Sequence, residues 1–403
     1  MKAAIMGYGT IGSGVYEVLD KNCKSVEKKA GEPIEVKYIL DLREFPGSPV
    51  EKLVIHDVEQ IVNDPEIGIV VETMGGTKPA YEFVRRCLLA GKHVVTSNKA
   101  LVAANGTELI RIAAEKNISF LFEASVGGGI PIIRPLVECL GGEEILEISG
   151  ILNGTTNYIL TKMNEEGWSF EEALKRAQEL GYAERNPETD IEGYDTCRKI
   201  AILTAVATGK EVNYEEIPTQ GITKITSMDS SYAAHMGAAI KLFGTSVNKD
   251  GKIYLEVAPV LVDAKDPLYA VTDVFNGILV VGNMLGASMF YGSGAGKLPT
   301  ASAVVADVIE AAKYPRQSMM TVWSEEKMVL EDKSERENRF FVRIKGTETL
   351  KEELEQTFGE ITVIKPEGVE GEFGFVTSVM KEGDFERGAE KYPQIRKMLR
   401  VKE

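Results

Sequence analysis

A short apolar run, Lys2-Ala3-Ala4-Ile5-Met6, passes directly into Gly7-Tyr8-Gly9-Thr10-Ile11-Gly12, and an amphipathic stretch with Ile11, Val15, Val18 and Leu19 at helical spacing follows. This order of strand, glycine loop and helix constrains the fold more than any other feature of the chain. Gly7 allows a tight turn, Gly9 lets the backbone approach a pyrophosphate, and Gly12 permits close packing of helix on sheet, while the helix N-terminus faces phosphate charge. A glycine triplet alone is a weak signal. Its setting between a strand and a helix makes Gly7, Gly9, Thr10, Ile11 and Gly12 candidate contacts of a dinucleotide, NAD or NADP.

The segments that follow keep the alternation. Residues 34–40 have a strand pattern ending on Asp41, residues 67–72 a strand, 78–90 a helix, 93–96 a strand, 104–116 a helix and 119–123 a strand. Strands alternating with helices predict an α/β fold of Rossmann type, a doubly wound parallel sheet. Asp41, at the end of the second strand, has the chemistry to accept hydrogen bonds from the adenosine ribose and to repel the extra phosphate of NADP, whereas Arg43 two residues on could pair with that phosphate. Residues 22–32, read as a loop, make the separation of Gly12 from Asp41 longer than the usual ~20 residues.

Farther along, residues 146–152 read as a strand leading into Asn153-Gly154-Thr155-Thr156-Asn157, and 169–181 as a helix with Ser169 and Glu172 as capping box and Gly181 as stop. A second helix is expected from about Gly193 to Thr208, and β-rich runs between 252 and 289 make this half α+β. In the tail, 339–344, 361–364 and 373–379 read as strands, 350–358 as a helix and 384–399 as largely helical, after a charged linker at 324–338. The expected domains are residues 1–130 plus about 292–315 for the dinucleotide, 131–291 for catalysis and dimerisation, and a small βαββαβ unit at 335–403.

Composition excludes several classes. With 61 acidic and 46 basic side chains the formal charge is −15, which works against unaided binding to nucleic acid or an anionic membrane. Cys23, Cys87, Cys139 and Cys197 are scattered and form no CxxC pair, and with no secretory leader read ahead of them they are expected to be reduced thiols of a cytoplasmic protein. Residues 274–296 carry no charge, yet their glycines, asparagines and serines make a buried strand and a glycine-rich loop the better reading than a membrane span.

One charged constellation points to chemistry. Glu184 and Asp190 lie in a loop punctuated by Pro187 and Gly193, and on the next helix Asp195 and Lys199 are four apart and share a face. A surface salt bridge is the usual meaning of such a pair. Against it, the continuation Ile200-Ala201-Ile202-Leu203-Thr204-Ala205-Val206 is nearly all apolar, so the helix is buried, and a buried lysine is costly unless paired or used. Spacing alone leaves the two readings level.

Several runs in order resemble homoserine dehydrogenase: the glycine loop, Thr96-Ser97-Asn98-Lys99-Ala100, Glu123-Ala124-Ser125-Val126-Gly127-Gly128-Gly129-Ile130-Pro131, Asn153-Gly154-Thr155-Thr156-Asn157-Tyr158-Ile159-Leu160, the run from Gly181 to Lys199, and Gly292-Ser293-Gly294-Ala295-Gly296-Lys297-Leu298-Pro299-Thr300-Ala301. They span roughly residues 1–315. The resemblance implies an NAD(P)-dependent oxidoreductase that interconverts L-aspartate 4-semialdehyde and L-homoserine in threonine, methionine and isoleucine biosynthesis. It implies Lys199 as proton donor and acceptor with Asp195 beside it, Lys99 at the nicotinamide–substrate junction, Glu184, Asp190, Gly154 and Thr155 around the substrate, and Thr73 and Gly296 among the cofactor contacts. Glu123, Val126, Gly128 and Ile130 match a monovalent cation site, sodium in the family, built mostly of main-chain carbonyls.

The chemistry of these residue types agrees. Hydride transfer to an aldehyde builds alkoxide charge, which an ammonium such as Lys199 stabilises and protonates. Carboxylates such as Glu184 and Asp190 suit a substrate ammonium. His56, His93 and His235 fall in no motif, which speaks against a histidine-based mechanism. Leu40 stands where many relatives carry an arginine that favours NADP. The tail is similar to the regulatory ACT domain in its order of elements, although Lys345-Gly346-Thr347-Glu348-Thr349 replaces the usual aspartate–proline–glycine loop; an amino-acid effector and a dimer-stabilising role are equally open for it. A homodimer or higher assembly is expected from the family. Competing hypotheses are a related two-domain dehydrogenase with another substrate and a non-catalytic nicotinamide-binding sensor.

Overall fold

A computed structural model describes residues 1–318 and 323–402. The first sheet is built from β1 (Lys2–Met6), β2 (Glu35–Leu40), β3 (Val54–Ile55), β4 (Ile67–Glu72), β5 (His93–Thr96) and β6 (Phe120–Leu121), in spatial order β3-β2-β1-β4-β5-β6. All pairings are parallel. The order reverses between β1 and β4, where an open sheet of this kind leaves a crevice at its carboxyl edge. Four of the five β1 residues and five of the six β4 residues are buried, as expected for strands covered on both faces.

Helices α1 (Thr10–Lys21), α2 (Cys23–Ala30), α3 (Glu59–Val62), α4 (Ala80–Leu89) and α5 (Lys99–Lys116) supply the crossovers. The stretch expected as a loop at 22–32 is helical: Val26 and Ala30 bury one face of α2, and Gly31 ends it at φ +85°. Helix α5 begins earlier than its apolar pattern does, because the Asn98 side chain accepts the Leu101 N–H and caps it.

The second sheet runs β11-β10-β7-β8-β9-β16-β12-β14-β13. Its strands are β7 (Ile145–Ile151), β8 (Ala238–Lys249), β9 (Lys252–Asp263), β10 (Phe275–Gly282), β11 (Gly286–Ser293), β12 (Glu337–Lys345), β13 (Ile361–Ile364), β14 (Glu372–Thr377) and β16 (Ile395–Val401), with β15 (Met380–Lys381) pairing β12 off this path. Helices α6 (Gly154–Glu166), α7 (Phe170–Glu179), α8 (Glu188–Ile191), α9 (Tyr194–Thr208) and α10 (Ser227–His235) fall between β7 and β8; α11 (Lys297–Lys313) follows β11, and α12 (Lys351–Phe358) and α13 (Glu382–Ala389) belong to the tail. The capping box of Ser169 and Glu172 is formed at α7.

Two sequence readings change here. The uncharged stretch at 274–296 is a hairpin, β10 and β11, rather than one strand and a loop. The end of the tail, expected to be helical through 399, becomes β16, which pairs antiparallel with β12 and parallel with β9, Arg400 opposite Val260.

The chain forms two units: residues 1–143, 201–214 and 292–328, and residues 144–200, 215–291 and 329–403. Residues 131–143 and 201–214 thus lie with the first unit instead of the middle domain assigned from sequence. The tail is not a separate body, because β16 takes the place beside β9 and continues its sheet. Buried ion pairs reinforce that seam: Arg400 meets Glu256 at 3.1 Å and Glu382 at 2.9 Å, all three below a tenth exposed. Around Phe340, Phe358, Phe373, Phe375 and Phe385 the tail has its own apolar core, each ring contributing on the order of 2–3 kcal/mol by burial.

Among the described residues, no helix is long and apolar enough to cross a membrane.

Candidate active site

In the first unit, the glycine loop has the geometry its sequence asks for. Gly7 turns at φ +95°, and a Cβ on Gly12 would lie 1.9 Å from the Gly7 carbonyl oxygen, so no side chain fits there. At Gly9 a Cβ would meet nothing within 4 Å, leaving open space over the start of α1. Thr73, just past β4, donates its hydroxyl to Gly7 O at 2.8 Å and fixes the turn. Among the described residues no side chain caps α1 and its first turn holds no acid, so these amides and this dipole suit an anion. Thr10 and Ile11 are the first two residues of that helix.

Asp41 reaches the same loop. Its Oδ2 accepts the Tyr8 N–H at 2.7 Å, while Arg43 grips both oxygens at 2.9 Å. The guanidinium beside it, with the amides of Arg43 and Tyr8, holds the Asp41 carboxyl well below the usual carboxylate range. The long spacing from Gly12 did not displace Asp41, because α2 absorbs the extra residues. Gly296, at φ +117°, opens α11, which returns to pack on α1: a Cβ on Gly14 would lie 2.8 Å from Lys297 O, and Lys297 pairs with Glu17 at 2.8 Å. The cofactor fold is therefore discontinuous in sequence. Lys99 is the first residue of α5, next to its Asn98 cap.

The glycine-rich run after β6 is also in the first unit. The Glu123 carboxylate accepts N–H bonds from Ile132 at 2.6 Å, Ile133 at 2.8 Å and Arg134 at 2.8 Å, so it serves the turn that follows. Its own amide donates to Asp307 on α11, whose carboxyl burial pushes up to about 7 against the pull of Arg134. Gly128, at φ +58°, lies so close to Gly294 that a Cβ would come within 2.3 Å of its carbonyl oxygen. No cluster of three or more His, Cys, Asp or Glu able to hold a metal occurs among the described residues. Of Glu123, Val126, Gly128 and Ile130, the last three carry no side-chain donor and could offer a cation only their carbonyl oxygens.

In the second unit, Asp195 and Lys199 form a buried pair on α9. Lys199 Nζ lies 2.7 Å from Asp195 Oδ2 and donates to Leu152 O, just past β7, at 2.6 Å. Asn153 connects the pair to the loop: its amide nitrogen donates to Asp195 Oδ2 at 2.9 Å and to Asp190 Oδ1 at 2.8 Å, while its oxygen caps α6 through Thr156 N. Thr155 donates to Tyr182 O at 2.5 Å and pins the 181–193 loop to α6. Gly154 has no room for a side chain, since a Cβ would stand 2.7 Å from Val274 O. Glu184 is exposed on that loop, its carbonyl held by Gln178 at 3.1 Å. A lysine ammonium flanked by a carboxylate and a carbonyl, with two further carboxylates on the adjoining loop, can exchange a proton with a substrate oxygen and bind a substrate cation.

Two family models cover most of the chain in tandem: homoserine dehydrogenase, NAD binding domain, at residues 7–123, and homoserine dehydrogenase at residues 131–309. A homoserine dehydrogenase of Synechocystis is 46% identical over 318 residues, 77% of this chain and 72% of that protein. The chain belongs to the homoserine dehydrogenase family. Its fold matches the crystal structure of a homoserine dehydrogenase from Thiobacillus denitrificans with a TM-score of 0.91 at 32% identity, over 100% of this chain and 98% of that one. A hyperthermophilic archaeal homoserine dehydrogenase in complex with NADPH matches with a TM-score of 0.67 at 29% identity, over 77% of this chain and 97% of that one. This member of the family is an oxidoreductase of nicotinamide cofactors acting on a small molecule.

Sequence reasoning named the ionisable residues and missed what arranges them. Asn153 and Leu152 O were not singled out, although an asparagine before a helix is a cap signal. The Asp41–Arg43 grip and the role of the Glu123 carboxylate come from backbone geometry that no spacing rule displays.

Proposed function

We propose that this homoserine dehydrogenase family member interconverts L-aspartate 4-semialdehyde and L-homoserine through the Lys199–Asp195 pair. The supporting observation is the buried ammonium of Lys199 between Asp195 and Leu152 O, on the helix that follows the acidic loop. A reduced nicotinamide, when bound, supplies the hydride for the aldehyde carbon. Lys199 stabilises the negative charge that develops on the carbonyl oxygen and delivers its proton there; in the oxidative direction it takes that proton back. Asp195 keeps the ammonium in place and balances its charge. Asp190, oriented by Asn153, and Glu184 bind the substrate's own ammonium, and Gly154 and Thr155 form the adjoining wall. Such a set has no use in a non-catalytic sensor.

On the cofactor side, Gly7, Gly9, Thr10, Ile11 and Gly12 receive the pyrophosphate, Thr73 and Gly296 border it, and Asp41 meets the adenosine ribose. An ionised Asp41 favours the free hydroxyls of NAD over the phosphate of NADP. Lys99 serves at the nicotinamide end. Carbonyls of Glu123, Val126, Gly128 and Ile130 hold a monovalent cation, a hard ion that suits neutral oxygen donors. The test is initial rates of L-homoserine oxidation with NAD and NADP side by side. Turnover with a higher kcat/KM for NAD supports the assignment; protein that binds a dinucleotide yet oxidises no homoserine with either defeats it.

A further inference from the structure

Glu72, the last residue of β4, is fully buried and takes no part in the steps above. Its Oε1 accepts the Met74 N–H at 2.7 Å and its Oε2 the Thr96 hydroxyl, at the end of β5, at 2.6 Å. Thr96 Oγ1 in turn accepts the Asn98 N–H at 2.9 Å. Asn98 donates its side-chain amide to Gly76 O at 2.6 Å and caps α5 through Leu101 N at 3.1 Å, immediately before Lys99. One carboxylate therefore joins the 73–76 loop, the end of β5 and the start of α5.

The location gives this hub a purpose. In a sheet of order β3-β2-β1-β4-β5-β6 the adenosine half of a dinucleotide lies over the β1–β3 side of the reversal and the nicotinamide half over the β4–β6 side. Burial pushes the Glu72 carboxyl above its ordinary range, and the donors from Thr96 and Met74 oppose that shift. A loop needing only satisfied amides has no call for an acid, which is costly to bury. Here each hydrogen bond drawn from Met74 and Thr96 is donated to the carboxylate, so the carboxylate sets both segments together.

We propose that Glu72 is the positioning residue for the nicotinamide half of the cofactor, acting through Met74 on the 73–76 loop and through Thr96 and Asn98 on the Lys99 end of α5. The proposal rests on the cofactor reading above. Dissociation constants of NADH and of ADP-ribose, which lacks the nicotinamide, are to be measured on full-length wild type, Glu72→Gln, Thr96→Val and Thr96→Ser, alongside homoserine oxidation and melting temperature. Glu72→Gln and Thr96→Val are expected to weaken NADH by about tenfold or more with ADP-ribose held within about twofold, and Thr96→Ser, which keeps the hydroxyl, to restore wild-type binding. Equal weakening of both ligands, or unchanged NADH affinity in the folded variants, overturns the proposal. Should Glu72→Gln not fold, the Thr96→Val and Thr96→Ser pair makes the same comparison. Wild type that binds NADH without oxidising homoserine would count against the substrate assignment alone, because the binding comparison uses no substrate.

Discussion

Lys199 Nζ lies 2.7 Å from Asp195 Oδ2, one turn back along the same helix, with both side chains less than a tenth exposed. The pair is neutral as a unit, so removing either member strands a charge. Lys199→Met should lower kcat by about 10²–10⁴-fold through loss of the proton carrier while NADH still binds. Asp195→Asn should lower kcat less, since the ammonium survives with a weaker partner. Stopped-flow single turnovers with a parallel NADH titration separate chemistry from binding; a Lys199→Met enzyme at wild-type speed would sink the assignment.

Asn153 bridges two carboxylates by donating to both Asp190 and Asp195. Asn153→Ala should raise KM for homoserine as Asp190 loses its orientation, and should cost about 1 kcal/mol of stability by removing the cap of α6. Steady-state kinetics with thermal melts test both effects. A variant that lost stability but kept its KM would reduce Asn153 to a helix cap.

Arg43 occupies the Asp41 oxygens that a ribose would use. Arg43→Ala should free Asp41 for the hydroxyls of NAD and withdraw a cation from the phosphate of NADP, shifting the ratio of kcat/KM values towards NAD by about tenfold. An unchanged ratio would mean that specificity is set elsewhere on the loop.

Lys241 on β8 is 1% exposed and donates to Val271 O at 2.6 Å, and burial pushes its ammonium down to about 8. Between that value and the unfolded lysine value of about 10.4 the unfolded chain binds more protons than the native one, so stability rises with pH in this window and is lost as pH falls through about 8. Relative to Lys241→Met, wild type should gain about 1–3 kcal/mol as pH is raised from about 7.5 to about 10. Denaturant melts at both pH values decide it, and parallel curves for the two proteins would rule out a lowered ammonium.

The parts of the fold legible in sequence are those whose signal is local. β4, β5 and β13 lie at their expected residues because turn-forming neighbours bound short apolar runs, and α7 announces itself through Ser169 and Glu172. β8 escaped notice because burial on both faces erases the alternation that marks a half-exposed strand. β16 was masked by the helical pattern of α13 ahead of it, and its strand state depends on β9 and β12, far away in sequence. The candidate site divides likewise: spacing and family resemblance single out Lys199, Asp195 and the glycines, whereas the hydrogen bonds of Asn153, Glu72 and the Leu152 carbonyl join segments that no single window contains.

The seam between β9 and β16 has a consequence for how the chain comes apart. A tail tethered only by a linker would melt as its own block, and a calorimetric trace would show its transition separately. Here the last strand lies inside the sheet, with Arg400 and Glu382 closing over Glu256, so detaching the tail leaves a raw strand edge and stranded charges on the rest of the second unit. With those groups shared across the seam, the tail and the rest of the second unit are expected to unfold in one calorimetric transition rather than two.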